Sequence, residues 1–409
     1  MIKRITELLV VMSIVIGQIQ FLLFSLVGIE YDPEEGTGLV AYLNLTFFGI
    51  CVGWVCWQEL NSKAKNYVMW PFFLIAFIIF SFFLESSVST EVTMKSFAGR
   101  QFLFFGAGGV PAIFLATYIY KHDRFDIVAR NAEIIMLLGT VALVLNIPTM
   151  MSETAFQTIG GGGGHQDISY TAAFFFTINL TNILSRNTDY RYNIFLSKIF
   201  RYIFFALLPV QALICILGGG RGGGVLLVLG FLCILYIYSH QNLGKALRWG
   251  VLVIVAFAIV TVYTGALSDG LGRTFDYLQG GSVNLTVNQS DIERAMLRQK
   301  AYDIIGDSLL IGHGLWNGLI VSGYYMHNVF LDVLISGGLL YLIVILFVMK
   351  RVYKTSYRIL QTDNTKCMLL PFLLYPTTLL QFSGFYLTNS LFWFCTILAL
   401  LYSKQYCVR

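Results

Sequence analysis

Arg221 stands alone inside a run of glycines, Gly218-Gly219-Gly220-Arg221-Gly222-Gly223-Gly224. With no neighbouring side chains in the way, the backbone N–H groups of such a run and one guanidinium can close on a single anionic group. Arg273, Arg294 and Arg298 follow in a long polar stretch, and Arg294 and Arg298, four residues apart, share one face of a helix. The planar fork of arginine suits bidentate contact with phosphate oxygens, and a diphosphate takes several such donors. The same arginines can instead neutralise lipid headgroups or pair with Asp269, Asp276, Asp291 and Glu293. In Tyr324-Tyr325-Met326-His327-Asn328, His327 is the last histidine before an apolar run. A neutral imidazole, with an ordinary pKa of about 6.5, can take a hydroxyl proton near neutral pH, and a histidine at a membrane boundary can also be a simple amphipathic anchor. Asn328 can orient that ring or bind a substrate hydroxyl. His313, in Gly312-His313-Gly314, and His165, after the tract Gly160 to Gly164, are candidates of the same type. The first glycine tract also reads as a flexible hinge.

The elements that must position these groups are set by composition. Hydrophobic residues make up 57% of the 409 residues and charged ones 12%, too little polar surface to cover a soluble core of that length. Runs of roughly 20 apolar residues recur, as lipid-crossing helices require. The expected fold class is all-α, a polytopic transmembrane helical bundle of about twelve spans at 8–28, 39–57, 67–84, 101–120, 129–150, 168–184, 200–217, 223–239, 248–266, 329–349, 367–383 and 386–403. The organisation is a bundle over 1–266, a long outer loop over 267–328, and a second bundle over 329–409. The first run, although preceded by Lys3 and Arg4, is too long for a cleaved signal and reads as a retained span.

Orientation follows from lysine and arginine, which stay on the cytoplasmic side during insertion. With both termini inside, most of the 27 basic residues fall on inner segments, among them Lys63, Lys121, Arg130, Lys198, Lys350 and Lys404, and the outer segments keep few. The net charge of +5 is thereby explained by topology, and no nucleic-acid partner is needed. The seven cysteines form no C-x-x-C pair, so neither a disulfide frame nor a zinc site is expected. Within the long loop, Ser290-Asp291-Ile292-Glu293 has the form of a capping box, opening a helix near 290–305 with Ile292, Ala295, Met296, Ile304 and Ile305 as an apolar stripe. Asp32, Glu34 and Glu35 on the first outer loop can hold a divalent ion, or are what the charge rule leaves outside.

The order of a Gly-rich turn with Arg221, a long outer loop with Arg294, then Leu310-Ile311-Gly312-His313-Gly314, then His327-Asn328 and Gly337-Gly338-Leu339, resembles the O-antigen polymerase (Wzy) and O-antigen ligase family. His165-Gln166-Asp167-Ile168-Ser169-Tyr170 looks like a polymerase-side pattern and tips the reading toward the polymerases, with Gln166 and Tyr170 as candidate substrate-binding residues beside His165, His313, Asn328, Arg273 and Arg298. The resemblance is carried by residues 150–350. It implies a GT-C-like fold in the bacterial inner membrane and inverting glycosyl transfer at the periplasmic face. The substrates implied are undecaprenyl-diphosphate-linked glycans, used without nucleotide sugar, cofactor or metal and with a chain-length regulator as a possible partner. Carried over by position, Arg221 and Arg294 hold the donor diphosphate and His327 is the general base. The chain departs from the family in having only glycines around Arg221, where serines are usual, and Arg298 where an aromatic is common.

Two alternatives remain open. A ligase has the same donor chemistry with a lipid A–core acceptor. A lipid-linked oligosaccharide flippase also has about twelve spans, but carriers place charged residues along a path inside the membrane. The expected spans are nearly free of such residues, with Glu133 and Asp332 as exceptions near span ends.

Overall fold

The computed structural model describes residues 2–27, 37–62, 69–88, 96–147, 165–185, 195, 197–218, 220, 222–239, 244, 248, 251 and 289–406. All regular structure among them is helical: α1 Ile2–Leu26, α2 Thr37–Leu60, α3 Trp70–Val88, α4 Phe97–Phe104, α5 Val110–His122, α6 Phe125–Leu145, α7 His165–Leu184, α8 Lys198–Leu217, α9 Gly222–Ser239, α10 Gln289–Asp307, α11 Asn317–Ser322, α12 Val329–Thr362, α13 Leu369–Leu379 and α14 Ser390–Tyr406. A π turn, Phe105–Gly109, joins α4 to α5, where glycines and Pro111 loosen the ladder and the Val110 N–H reaches back to Phe105.

Eight helices among the described residues are long and apolar enough to cross a membrane: α1, α2, α3, the joined α4–α5, α6, α8, α9 and α12. The chain is that of a multi-pass helical membrane protein. Three expected spans take other forms. Residues 168–184 lie in α7, whose serine, threonines and asparagines make it less apolar than its neighbours. Residues 367–383 hold the short α13, and 386–403 the 17-residue α14. The expected span 248–266 lies almost wholly outside the described residues.

Two compact units are interleaved along the chain. The first comprises Met1–Asn44, Arg124–Gly281 and Tyr357–Leu379. Its core is α7, buried along nearly its whole length, with Phe176, Leu180 and Leu184 packed on Leu208, Ala212, Ile234 and Leu370. Several polar groups of α7 find partners there: Asn179 Nδ2 donates to the Phe204 carbonyl at 2.8 Å and to Gln211 Oε1 at 3.0 Å, and Gln211 Nε2 donates to Thr140 at 2.8 Å. Such bonds offset much of the cost of enclosing a helix that carries polar residues. Buried Glu7 receives Arg124 and Arg130, tying α1 to α6.

The second unit comprises Leu45–Asp123, Ser282–Ser356 and Leu380–Arg409. In it α5 and α14 run side by side. At one end Glu59 meets Lys121 and His122, the Tyr402 hydroxyl donates to Asp123 at 3.2 Å, and Arg351 donates to Ser403 at 3.2 Å. At the other end, the C-terminal turn of α3 and the segments around α11 meet.

Candidate functional site

α12 is two helices. Gly337 (φ −143°, ψ 16°) and Gly338 (φ 62°, ψ −162°) leave helical geometry, and the second conformation is open essentially only to glycine. A break inside an apolar helix frees carbonyls and N–H groups that lipid cannot satisfy. Here the preceding loop satisfies them: the N–H groups of His313 and Gly314 donate to the carbonyls of Ile335 and Ser336, both at 2.8 Å. The Leu339 N–H donates to Leu309 at 2.9 Å and Leu340 to Leu310 at 3.2 Å. Backbone meets backbone so closely that a Cβ on Gly312 or Gly338 would overlap the facing main chain. Leu310-Ile311-Gly312-His313-Gly314 and Gly337-Gly338-Leu339, separate motifs in the sequence, are thus two sides of one clamp.

The clamp is anchored by a residue that the sequence reading passed over. Glu85, at the end of α3, accepts the N–H groups of Trp316 at 2.8 Å and Asn317 at 2.5 Å, and Ser81 donates to its other oxygen. Trp316 is fully buried among Phe82, Phe102, Phe105 and Phe385, and its indole N–H donates to the Ile78 carbonyl at 3.0 Å. His313 is held at both ends: its Nε2 is 2.8 Å from the Ile304 carbonyl, and its own carbonyl accepts Asn317 Nδ2 at 2.9 Å. A lone acid ending an otherwise apolar helix was the only signal for Glu85.

α10 packs on the first half of α12 through Leu297, Ala301, Ile304 and Ile305 against Met326, Leu331, Leu334 and Ile335. Of the expected stripe, Ile304 and Ile305 are buried in this contact together with Leu297, and Met296 is 66% exposed. Lys300 leaves the same helix to donate to the Ser322 carbonyl at 2.7 Å. Arg298 is exposed on α10.

His327 lies in the turn that enters α12, in the left-handed region at φ 52°. For a non-glycine residue that backbone must be imposed by its surroundings. On one side of it the Met326 N–H donates to Asp332 Oδ1 at 2.8 Å. On the other, Asn328 Oδ1 caps α12, accepting Phe330 N–H at 3.0 Å and Leu331 N–H at 3.3 Å. The Oδ1 of Asn328, a residue expected to orient the imidazole or bind a sugar hydroxyl, thus serves as a helix cap. The half-buried His327 ring stands edge-on to Tyr325 at 4.6 Å. Phe97 stacks on Tyr324 at 5.0 Å and neighbours Tyr325 at 5.8 Å, and the Arg100 guanidinium lies 5.9 Å from the Phe97 ring. An imidazole, three aromatic rings and a guanidinium therefore form one continuous cluster, of which the sequence reading named only the histidine as a site residue. The i, i+3 spacing of Phe97 and Arg100 at the start of α4 was the available signal.

Of the other candidates, Gln166 and Tyr170 lie in the first unit. Ser169 Oγ donates toward the carbonyls of Cys215 at 2.7 Å and Gly220 at 3.1 Å. A Cβ on Gly222 would overlap the Tyr170 hydroxyl, and one on Gly223 would overlap Ser169. The His165–Tyr170 stretch and the second glycine tract are thereby brought together, with Tyr170 buried in the packing and Gln166 half-buried at its edge. Arg221 and Arg273, the tract Gly160 to Gly164, and Asp32, Glu34 and Glu35 lie outside the described residues. So do the side chains of His165 and Arg294, whose backbones belong to α7 and α10. Among the described residues no group of three or more His, Cys, Asp or Glu side chains is placed to hold a metal ion. Comparison with known proteins adds no family: no family model matches the chain, and neither the curated proteins nor the solved structures contain a significant match.

Proposed function

We propose that this chain is an O-antigen polymerase, an inverting glycosyltransferase of GT-C-like fold and about twelve spans. It joins undecaprenyl-diphosphate-linked oligosaccharide units at the periplasmic face of the bacterial inner membrane. The observation that carries the reading is the cluster around His327: a titratable ring, held in an unusual backbone conformation, beside aromatic faces of the kind that stack on sugar rings. The same loop ties the motifs that resemble the polymerase and ligase family into one clamp.

In this reading neutral His327 takes the proton of the acceptor hydroxyl as its oxygen attacks the anomeric carbon of the donor glycan. The bond from that carbon to the diphosphate oxygen breaks, and the carrier lipid diphosphate departs with the electron pair. Arg221 and Arg294 bind the departing diphosphate and stabilise its developing charge, so the bond energy already stored in the lipid drives transfer. His327→Ala should lower chain extension by on the order of 10²–10⁴-fold at unchanged membrane level of the protein. Wild-type polymer length in that variant refutes the mechanism. Deletion of the gene should leave single repeat units on lipid A–core, whereas polymer accumulating on the carrier lipid marks a ligase.

A lipid-linked oligosaccharide carrier is the second reading, and the structure supplies two observations in its favour. Glu7, Glu133 and Asp332 are all buried in helices, and α12 is discontinuous, a device that carriers use at their binding sites. Loss of glycan altogether on deletion, with repeat units retained on the cytoplasmic side, selects this reading.

A further inference from the structure

Leu309, Leu310 and Ile311 stand in the turn that follows α10 and are 47%, 64% and 71% exposed. Three consecutive aliphatic side chains turned out of the protein are ill placed in water, and from Ser308 to Gly312 no residue is charged. The contacts of the turn show which solvent it meets. The carbonyls of Leu309 and Leu310 accept the N–H groups of Leu339 and Leu340, just past the break in α12, and a Cβ on Gly338 would overlap the Leu310 carbonyl and the Ile311 nitrogen. The turn therefore lies at the same level along α12 as Gly337 and Gly338.

That level is inside the apolar layer. The eleven residues from Leu339 to Met349, which precede the basic pair Lys350-Arg351, reach about 16 Å at 1.5 Å each. A bilayer core is about 30 Å thick, so a helix that crosses it with Lys350 at one surface has its break well below the other. The half-helix before the break fills the remaining depth, and the turn goes down beside it. Two further features fit lipid. Leu340, Ile343, Val344 and Phe347, all exposed, form a stripe at i, i+3, i+4 and i+7 along the second half of α12, and that stripe begins where Leu340 meets Leu310. The turn also satisfies its own backbone. The Ser308 carbonyl accepts the Gly312 N–H at 2.9 Å, and Ser308 Oγ donates to the Gly312 carbonyl at 2.8 Å, so the carbonyls of residues 308, 309, 310 and 312 are all bonded. A turn in water has no need of this, whereas one in hydrocarbon does. Charge stops at Asp307, exposed at the end of α10, which sets the boundary where the chain leaves water.

We propose that residues 308–312 form a re-entrant wedge, with the Leu310 and Ile311 side chains inserted among the acyl chains of the bilayer beside the break in α12. The wedge is expected whether the chain transfers glycan or carries it. Its test is spin-label spectroscopy of the full-length protein in phosphatidylcholine vesicles, with the native cysteines replaced by alanine and a nitroxide attached at Ile311→Cys. Oxygen, which concentrates in hydrocarbon, should relax this label, and a water-soluble nickel chelate should lose its effect there. At Gln299→Cys, on the exposed flank of α10, the chelate should be the stronger relaxant. An Ile311→Cys label relaxed mainly by the chelate overturns the proposal, because the turn is then in water. A label that neither reagent reaches overturns it as well, because a second copy or another protein then covers the turn. Should the cysteine-free chain fail to fold, Ile311→Trp in the otherwise native chain decides. The fluorescence it adds over wild type should be quenched by lipids brominated on their acyl chains and spared by aqueous iodide, and the reverse pattern overturns the wedge.

Discussion

Two glycine-rich regions of this chain look alike in composition and do different work. In the first unit, Gly220, Gly222 and Gly223 are small so that α9 and its leading turn can lie against the side chains of Ser169 and Tyr170 on α7. In the second unit, Gly312 and Gly338 have positive φ, 65° and 62°, and their main chains touch each other's segments directly. The first pattern is helix packing of the small-residue kind; the second replaces the missing hydrogen bonds of a broken helix. A glycine run therefore does not by itself signify an anion cradle or a hinge. Its role depends on whether a side chain or a backbone faces it.

The comparison can be broken by substitution. Gly338→Ala meets both a glycine-only conformation and the Leu310 carbonyl, and should cost on the order of 2–4 kcal/mol, read as a large drop in Tm and in monodisperse yield. A tolerant Gly338→Ala would remove the clamp. Glu85→Ala strands two N–H groups and should cost about 2–3 kcal/mol, while Glu85→Gln, which keeps an acceptor, should recover part of it. Gly222→Ala should cost about 1–2 kcal/mol, and adding Tyr170→Phe should restore part of the loss; strict additivity of the two would deny their contact. Gly224→Ala, in the same helix but with open space at its Cβ position, should be neutral or stabilise by roughly 0.5–1 kcal/mol. Equal behaviour of Gly222→Ala and Gly224→Ala would mean that close packing is not what the tract provides.

Parts of this were legible in advance for reasons that can be named. The helix over 290–305 is found as Gln289–Asp307, since apolar periodicity acts within a few turns of chain; it starts one residue before Ser290, the residue expected to cap it. Which of its apolar residues pack on protein, Leu297 and not Met296, is chosen by where Met326 and Ile335 come to lie. Asn328 was legible as a functional polar residue next to His327, but whether it would cap α12 or face a ligand depends on a backbone direction that spacing does not supply. Glu85 went unseen because its partners Trp316 and Asn317 lie more than two hundred residues away.

The membrane class was determined by the sequence alone, because crossing lipid demands a run of apolar residues in one continuous segment, and a continuous segment is a local property. The helical class follows from the same demand, since only a helix satisfies its own backbone within such a run. What the tertiary structure decided is which interruptions matter. The Gly337-Gly338 break is tolerable only because Leu309, Leu310, His313 and Gly314 arrive to complete its hydrogen bonds, and Asp332, which the sequence shows as an acid inside an expected span, comes to border a cavity that only the folded chain closes. Both depend on atoms that meet after folding and have no trace in the spacing of residues along the chain.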